Sequence, residues 1–281
     1  VYVDMTKGAM IVKAVKLQAQ AFKEEYLELA HKREYLTQAK KDIEQGLKSL
    51  STGDTQVSMK SWEVALLATG GVLHAVRQVV KGKIGRAFCL TRPPGHHATP
   101  SKGMGFCIFN HVALAARYAQ EELGIGKVLI VDWDVHHGNG TQAAFYDDPS
   151  ALTISIHQDR NFPTNSGLMN ENGEGKGSGY NINIPLPPGS GVGAYEAAFD
   201  RVIIPAIEKF MPELIVIPSG FDGGAGDPIG RQMMTSVGFR SLTQKMMKVA
   251  EEACNEAKKM NISVELIDLR SIRPIDYSTI I

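Results

Sequence analysis

The sequence is poor in cysteine, in net charge and in long apolar runs, and each shortage excludes a class of protein. Its 281 residues include only three cysteines, which are far apart and form no CxxC pair: Cys89, Cys107 and Cys254. This excludes a disulfide framework and a cysteine-rich zinc module, and it favours a reducing compartment. The 30 Lys and Arg residues balance 30 Asp and Glu residues, which argues against direct nucleic-acid binding through a basic surface.

The absence of targeting signals sets a second expectation. No uncharged apolar run approaches the ~18 residues of a membrane span, and the start lacks the apolar core of a secretion signal. We therefore expect a soluble, cytoplasmic protein with no membrane partner. The chain begins with Val1 rather than Met, as expected of a fragment or of a misassigned start.

Short apolar runs alternate with longer helical stretches over most of the chain. Strands are predicted over 86–90, 127–133, 151–157, 180–186, 213–219 and 264–269. Helices are predicted over 8–50, 61–81 (with Ser61 as a cap), 110–123, 192–210 and 235–259. Strands that are apolar throughout, separated by amphipathic helices, indicate an α/β fold with a mostly parallel sheet buried on both faces. In such a sheet the ligand crevice lies outside the carboxyl ends of the strands.

Three polar side chains alternate directly after the strand at 127–131. If the backbone stays extended, Asp132, Asp134 and His136 project to one face. Two carboxylates and an imidazole at the end of an apolar strand are expensive to bury without a cation. The alternative is a solvated strand end followed by a glycine turn, which does not need such strict alternation.

A stiff turn with adjacent histidines follows the strand at 86–90. In Arg92-Pro93-Pro94-Gly95-His96-His97-Ala98, two prolines and a glycine leave little conformational entropy to lose. Paired imidazoles on a rigid loop suit proton transfer, because their pKa lies near neutrality. The alternative, that one of them is a structural hydrogen-bonding residue, stays open.

A glycine-rich loop with two aspartates follows the strand at 213–217. Asp222 and Asp227 lie among four glycines, and Asx turns would explain both of them. We predict instead that Asp227 joins Asp134 and His136 as a third metal donor. Three protein ligands and an open position are typical of a catalytic zinc site, in which Asp132 and Asn139 would orient the histidines.

The sequence resembles the histone deacetylase and acetylpolyamine amidohydrolase family, in its class II-like bacterial form. The resemblance covers residues 28–254 and rests on five motifs: RPPGHHA, GFCIFN, DWDVHHGNGTQ, SIHQDRNFP and SGFDGGAGDP. It implies the arginase/deacetylase fold, in which helices flank a mostly parallel sheet in three layers. One zinc ion per chain is then expected, bound by Asp134, His136 and Asp227. A structural potassium ion is also implied, with ligands from Asp132, Asp134, His136, Ser155 and Ile156.

The resemblance further implies a mechanism, metal-assisted hydrolysis of an acetylated lysine or polyamine to acetate and a free amine. His96 and His97 are the expected tandem base and acid, with Asp132 behind His96 and Asn139 behind His97. His97 would take the proton of the attacking water, and an imidazolium would protonate the departing amine.

A narrow channel for the acetyl-lysine stem is also implied by the resemblance. Gly105, Phe106 and Phe162 are expected to line it; the alternative for both phenylalanines is packing in the core.

Both ends of the chain depart from the family. Residues 1–27 lack the family's first strand and its loop rich in His, Pro and Glu. Residues 255–281 lack the Gly-Gly-Tyr turn whose tyrosine stabilises the oxyanion, and they resemble part of a transketolase C-terminal domain. Tyr277 is the only tyrosine in this tail, and its context is not that of the family. The run VELIDL is expected to supply the missing core strand.

Three alternatives to an active deacetylase stay open. The first is an impaired homologue that binds zinc and acetyl-lysine without turnover. The second is a ureohydrolase with two manganese ions. Gly138 disfavours this alternative, because a ureohydrolase site requires an aspartate two places after the histidine. The third and weakest is a cysteine enzyme using Cys107, a residue type that is more often a small buried hydrophobe. The oligomeric state cannot be predicted from the sequence.

Overall fold

The computed structural model describes residues 19, 22–259 and 265–271, with the backbone alone for 253–259 and 265–271. The strands are β1 Arg86–Thr91, β2 Val128–Asp132, β3 Ala151–Gln158, β4 Asn181–Leu186, β5 Leu214–Pro218 and β6 Glu265–Ser271. The α-helices are α1 Arg33–Glu44, α2 Ser61–Val80, α3 His111–Leu123, α4 Asn139–Phe145, α5 Val192–Ala198, α6 Ile204–Phe210 and α7 Ser236–Lys259. Short 3-10 helices lie at Glu24–Leu29 and Gly175–Gly177, and a π-helix spans Phe199–Ile203.

The six strands form one sheet in the order β1-β6-β5-β2-β3-β4, and every pair of neighbours is parallel. Alternate residues of β2 face opposite sides. Val128 and Ile130 belong to a core shared with α1, α2 and α3, while Leu129 and Val131 belong to a second core shared with α5, α6 and α7. Because both faces of β2 and β5 are covered by helices, Val128–Val131 and β5 are apolar and buried. The predicted parallel sheet between two helical layers is confirmed.

The tail contributes a central strand, as its sequence predicts. β6 pairs in parallel with β1 on one side and with β5 on the other. In the register, Leu266 lies opposite both Arg86 and Ile215. Residues 265–269 of the run VELIDL therefore lie in a strand inside the sheet.

Two helix predictions need correction near the start of the chain. The stretch predicted over 8–50 contains, in its described part, a 3-10 helix and the separate helix α1; its first residues, 8–18, lie outside the described part of the chain. The prediction that Ser61 caps α2 is wrong. The cap position belongs to Lys60, and Ser61 Oγ instead accepts the amide of Ser58 at 2.9 Å.

The helix predicted over 192–210 is interrupted by the π-helix at Phe199–Ile203. Pro205 is the second residue of α6, two places after the end of the interruption, and it has no amide hydrogen to donate to the preceding turn. A wider turn at this point fits that missing donor.

Among the described residues, α2 alone is long and apolar enough to cross a membrane by length and composition. The same composition suits a core helix. Its buried residues, among them Val72, Leu73 and Val76, lie in the core shared with α3 and β1.

Two buried histidines tie this side of the sheet to its loops. Nδ1 of His31 donates to the carbonyl of Thr99 at 3.0 Å, and its Nε2 accepts the amide of Asn110 at 2.8 Å. Nε2 of His111 donates to the carbonyl of Pro93 at 3.1 Å. Burial lowers the pKa of His31 to about 3 and that of His111 to about 4, from 6.5. Both rings are therefore neutral in the folded protein at neutral pH.

We predict that His111→Gln weakens the pH dependence of stability. Because the folded pKa is lower, the unfolded chain takes up a proton below pH 6.5 that the folded chain accepts only near pH 4. The contribution of His111 to the free energy of unfolding is thus complete above pH 6.5. Between pH 6.5 and about pH 4 it falls by up to about 1.4 kcal/mol per pH unit.

The measurement is urea denaturation of both proteins between about pH 7 and about pH 5. The glutamine side-chain amide can still donate to Pro93 but does not titrate, so its curve should be shallower. Parallel pH dependences in the two proteins would contradict the assignment of a depressed pKa to His111.

Candidate metal and catalytic site

Three loops meet at one edge of the sheet because the strands before them are parallel. β1 leads into residues 92–98, β2 into 133–139 and β5 into 219–228. The carboxyl ends of parallel strands form the crevice in which α/β proteins bind ligands. The three polar clusters singled out in the sequence therefore come from the same edge.

The loop after β2 bends instead of staying extended. β2 ends at Asp132, and residues 134–136 form a bend, so the prediction of an extended backbone is wrong beyond Asp132. Asp132 Oδ1 accepts the amide of Asp134 at 3.0 Å, and Asp134 Oδ1 accepts the amide of His136 at 2.9 Å. Hydrogen bonds from an aspartate to the amide two residues later favour such bends, and here they fix both carboxylates.

Asp134, His136 and Asp222 bring three donor atoms together. Nδ1 of His136 lies 3.0 Å from Asp134 Oδ1 and 3.0 Å from Asp222 Oδ2. The three donor atoms all lie within 4.8 Å of one another, and all three residues are buried. Asp222 is held from behind, since its Oδ1 accepts the amide of Val135 at 2.9 Å. This geometry can hold a metal ion.

The donor atoms that the structure brings together come from Asp134, His136 and Asp222 and not from Asp227, so the role of Asp227 as a metal ligand stays a prediction. Asp222 lies closer along the chain to the end of β5 at Pro218, so its side chain stays beside the strand ends. Asp227 Oδ1 accepts the amides of Ile229 at 3.0 Å and Gly230 at 3.1 Å, an Asx-type turn that the sequence left open.

Gly220 makes the convergence possible. A Cβ atom on Gly220 would overlap the carboxylate of Asp134 and lie 2.8 Å from Asp222 Oδ1. Any side chain here would push the loop after β5 away from the loop after β2. The glycine is thus required by the close approach of two carboxylates.

The pKa of each of the three donor residues is shifted by at least one of the other two. Burial and the neighbouring charge of Asp134 raise the pKa of Asp222 to about 6. Burial lowers the pKa of His136, but its hydrogen bonds with Asp134 and Asp222 outweigh this and raise the pKa to about 9. Burial opposes ionisation of Asp134, yet the charges of His96 and His136 hold its pKa below the ordinary value. Two carboxylates therefore share one buried, positively charged partner.

The tandem histidines lie beside this triad, each held by a different kind of group. Nδ1 of His96 donates to Asp132 Oδ2 at 2.8 Å, and Nδ1 of His97 donates to Asn139 Oδ1 at 2.8 Å. The ring centroids of His96 and His97 are 4.0 Å apart, and those of His97 and His136 are 5.9 Å apart. Because Nδ1 of His97 is used, its Nε2 is left for a reacting molecule.

The different partners separate the pKa values of the two histidines. Burial lowers the pKa of His96, but the charges of Asp132 and Asp134 outweigh it and raise the pKa to about 9. Burial and the positive charge of His96 hold the pKa of His97 well below its ordinary value. The pair thus combines a charged imidazole with a neutral one, an arrangement suited to acid–base chemistry.

Two of the three predicted channel residues, Gly105 and Phe162, lie beside His97. The amide of Gly105 donates to Asp54 Oδ1 at 2.8 Å. Phe106 is 61% exposed, so core packing is wrong for this residue. Half-buried Phe162 points edge-on at His97, with the ring centroids 5.0 Å apart. The role of these residues in binding a substrate stays a prediction.

Asp54 and Asn161 contact the loops of the predicted channel residues, and neither was predicted from the sequence. Asp54 lies in the polar stretch between α1 and α2, where no local pattern marks it. The carbonyl of Ile229 accepts the side-chain amide of Asn161 at 3.3 Å, which ties the loop of Phe162 to the loop of Asp227. Tyr277 lies outside the described residues.

Comparison with known proteins identifies the relatives of this chain. The histone deacetylase domain matches residues 2–261, and the transketolase C-terminal domain matches residues 243–281, which confirms the resemblance predicted for the tail. The chain is 42% identical over 221 residues to a histone deacetylase-like amidohydrolase of Pseudomonas aeruginosa, covering 79% of this chain and 58% of that protein. It is 40% identical over 236 residues to histone deacetylase 10, chloroplastic, of Oryza sativa, covering 80% and 53%. The chain thus spans about half the length of these curated relatives.

A solved structure extends the comparison to the fold. The crystal structure of the HDA15 HD domain matches with a TM-score of 0.83 at 34% identity, covering 93% of this chain and 73% of that one. The predicted arginase/deacetylase fold is therefore confirmed. Sequence and fold agree that the chain belongs to the histone deacetylase family.

Proposed function

We propose that the protein is a zinc-dependent deacetylase that hydrolyses N-acetyl amides, either acetyl-lysine in proteins or acetylpolyamines, to acetate and a free amine. The observation that carries this proposal is the convergence of Asp134, His136 and Asp222 on one buried point, with His96 and His97 beside it. Membership of the histone deacetylase family supports the reaction class.

The donor set fits zinc. Two carboxylates and one imidazole are oxygen and nitrogen donors that zinc accepts, and three protein ligands are typical of catalytic zinc sites. Asp134, His136 and Asp222 would hold the ion, which when bound supplies a Lewis acid for the amide carbonyl and an acidified water. The positive charge would also relieve the repulsion between the two buried carboxylates.

The two histidines have different roles in the proposed reaction. His97 is turned by Asn139 so that its Nε2 can take the proton of the attacking water. His96 is held by Asp132, and its charge supports the negative charge that develops on the substrate. The imidazolium formed on His97 then protonates the departing amine, which completes the reaction.

We expect turnover to be weak, because the chain has no Gly-Gly-Tyr turn in its tail. Loss of an oxyanion donor typically lowers the rate by ~10²–10³. This absence also favours a second candidate function, a homologue that binds zinc and acetyl-lysine without turnover.

We predict that Asp222→Asn abolishes zinc binding, whereas Asp227→Asn leaves it intact. An amide at position 222 loses the charge that pairs with His136. An amide at position 227 still has an oxygen for the amides of Ile229 and Gly230. Metal analysis of the purified proteins should find one zinc per chain in the wild type and in Asp227→Asn. Zinc retained in Asp222→Asn would overturn the assignment of the triad.

We predict that the wild type releases acetate and that His97→Ala does not, because His97 supplies the free nitrogen beside the triad. Acetate is measured with an acetyl-lysine peptide and with acetylpolyamines in parallel, each with added zinc and with a chelator. Zinc binding should survive in His97→Ala, since His97 is no ligand. Acetate release from neither substrate by zinc-loaded wild type would favour the non-catalytic binder.

A two-manganese ureohydrolase is disfavoured by the surroundings of Gly138. A Cβ atom there would lie 2.5 Å from Asp132 Oδ2, the atom that accepts from His96. The aspartate that a ureohydrolase site requires at this position would therefore push aside the carboxylate of Asp132, which holds His96.

Several expectations stay predictions. These are the potassium ion, the cytoplasmic location, the segment boundaries at 27/28 and 254/255, and the lack of nucleic-acid and membrane partners.

A further inference from the structure

The loop that carries the tandem histidines is held by its own backbone carbonyls. The carbonyl of His96 accepts the amides of Gly140 at 3.0 Å and Thr141 at 3.1 Å. These two amides belong to the first turn of α4, where amides have no partner within the helix. The loop and α4 are thus joined next to Asn139, the residue that orients His97.

Asn110 extends this junction to a third element. One side-chain N–H donates to the carbonyl of Ala98 at 3.1 Å, and the other donates to Thr141 Oγ1 at 3.3 Å. Its Oδ1 caps α3 by accepting the amide of Ala113 at 2.9 Å. With 1% exposure, the side chain therefore uses both donors and its acceptor without help from water.

His31 supports Asn110 from behind. Its Nε2 accepts the backbone amide of Asn110, and its Nδ1 donates to the carbonyl of Thr99, one residue beyond Ala98. These two contacts require the neutral ring with the proton on Nδ1, which agrees with the lowered pKa of this buried histidine. His31 and Asn110 together hold two successive carbonyls of the histidine loop.

We propose that Asn110, supported by His31, is a positioning residue for the tandem histidines. It fixes the distance between the histidine loop and α4, and thereby the orientation of His97 against Asn139. The inference rests on the proposed deacetylase function for its catalytic consequence, but its structural part does not depend on activity.

Capping of α3 alone does not explain asparagine at this position. Serine and aspartate cap helices about as well as asparagine does, yet neither offers the two donors that reach Ala98 and Thr141. Displacement of a catalytic group by about 1 Å costs on the order of 100-fold in rate. The two donors are therefore the feature to remove.

The test compares Asn110→Ser and Asn110→Asp with the wild type, since both variants keep an oxygen for the α3 cap. We expect kcat on an acetyl-lysine peptide to fall by about 10-fold or more, with KM and zinc affinity unchanged, because the triad lies on other loops. Zinc affinity is measured by competition with a chelator. A loss of zinc affinity as large as the loss of kcat would overturn the proposal.

Amide hydrogen exchange supplies a readout that needs no activity. In both variants the amides of Gly140 and Thr141 should exchange faster relative to the amides of β2. Unchanged relative exchange at these two amides overturns the proposal, whether or not the wild type turns over substrate. Failure of the wild type to release acetate would instead count against the deacetylase function alone.

Three further variants separate a positioning role from a merely structural one. Asp42→Asn is the control, because this buried carboxylate binds Ser51 and Gln38 away from the site; it should lower the free energy of unfolding and leave kcat unchanged. His31→Asn keeps a donor for Thr99 and should retain more kcat than His31→Leu. Equal losses in the two His31 variants would remove His31 from the proposal.

Discussion

The burial of three carboxylates at one edge of the sheet is the constraint on which the site depends. Asp132, Asp134 and Asp222 are each at most 8% exposed, and charges so placed are costly unless they are paired. The loops around them meet that cost with backbone amides and with the imidazoles of His96 and His136. Every other feature of the site, from the bend after β2 to the close approach at Gly220, follows from gathering these charges.

The same electrostatics separates two neighbouring histidines that the sequence presents as equivalent. A carboxylate hydrogen-bonded to His96 and an amide hydrogen-bonded to His97 give adjacent rings different protonation states, although both rings are buried. The environment behind a side chain therefore decides its role in proton transfer as much as its position does.

The strands and the edge that carries the chemistry could be predicted from the sequence, because apolar runs and the polar residues after them are local patterns. The tail strand β6 was predictable for the same reason. The choice between Asp222 and Asp227 was not, since it depends on how a glycine-rich loop turns. Asn110 likewise resembles an ordinary helix cap in the sequence, and only the folded chain brings its amide to Ala98 and Thr141.

The position of β6 allows the tail to affect the relative placement of two loops of the site. The histidine loop leaves the sheet from β1 and the loop of Asp222 leaves it from β5, while β6 is the spacer between those two strands. A one-residue slip of β6 against either neighbour would move one loop relative to the other by about 3.3 Å. A segment matched to a different protein family thus sets the distance between the loop that carries the tandem histidines and the loop that carries Asp222.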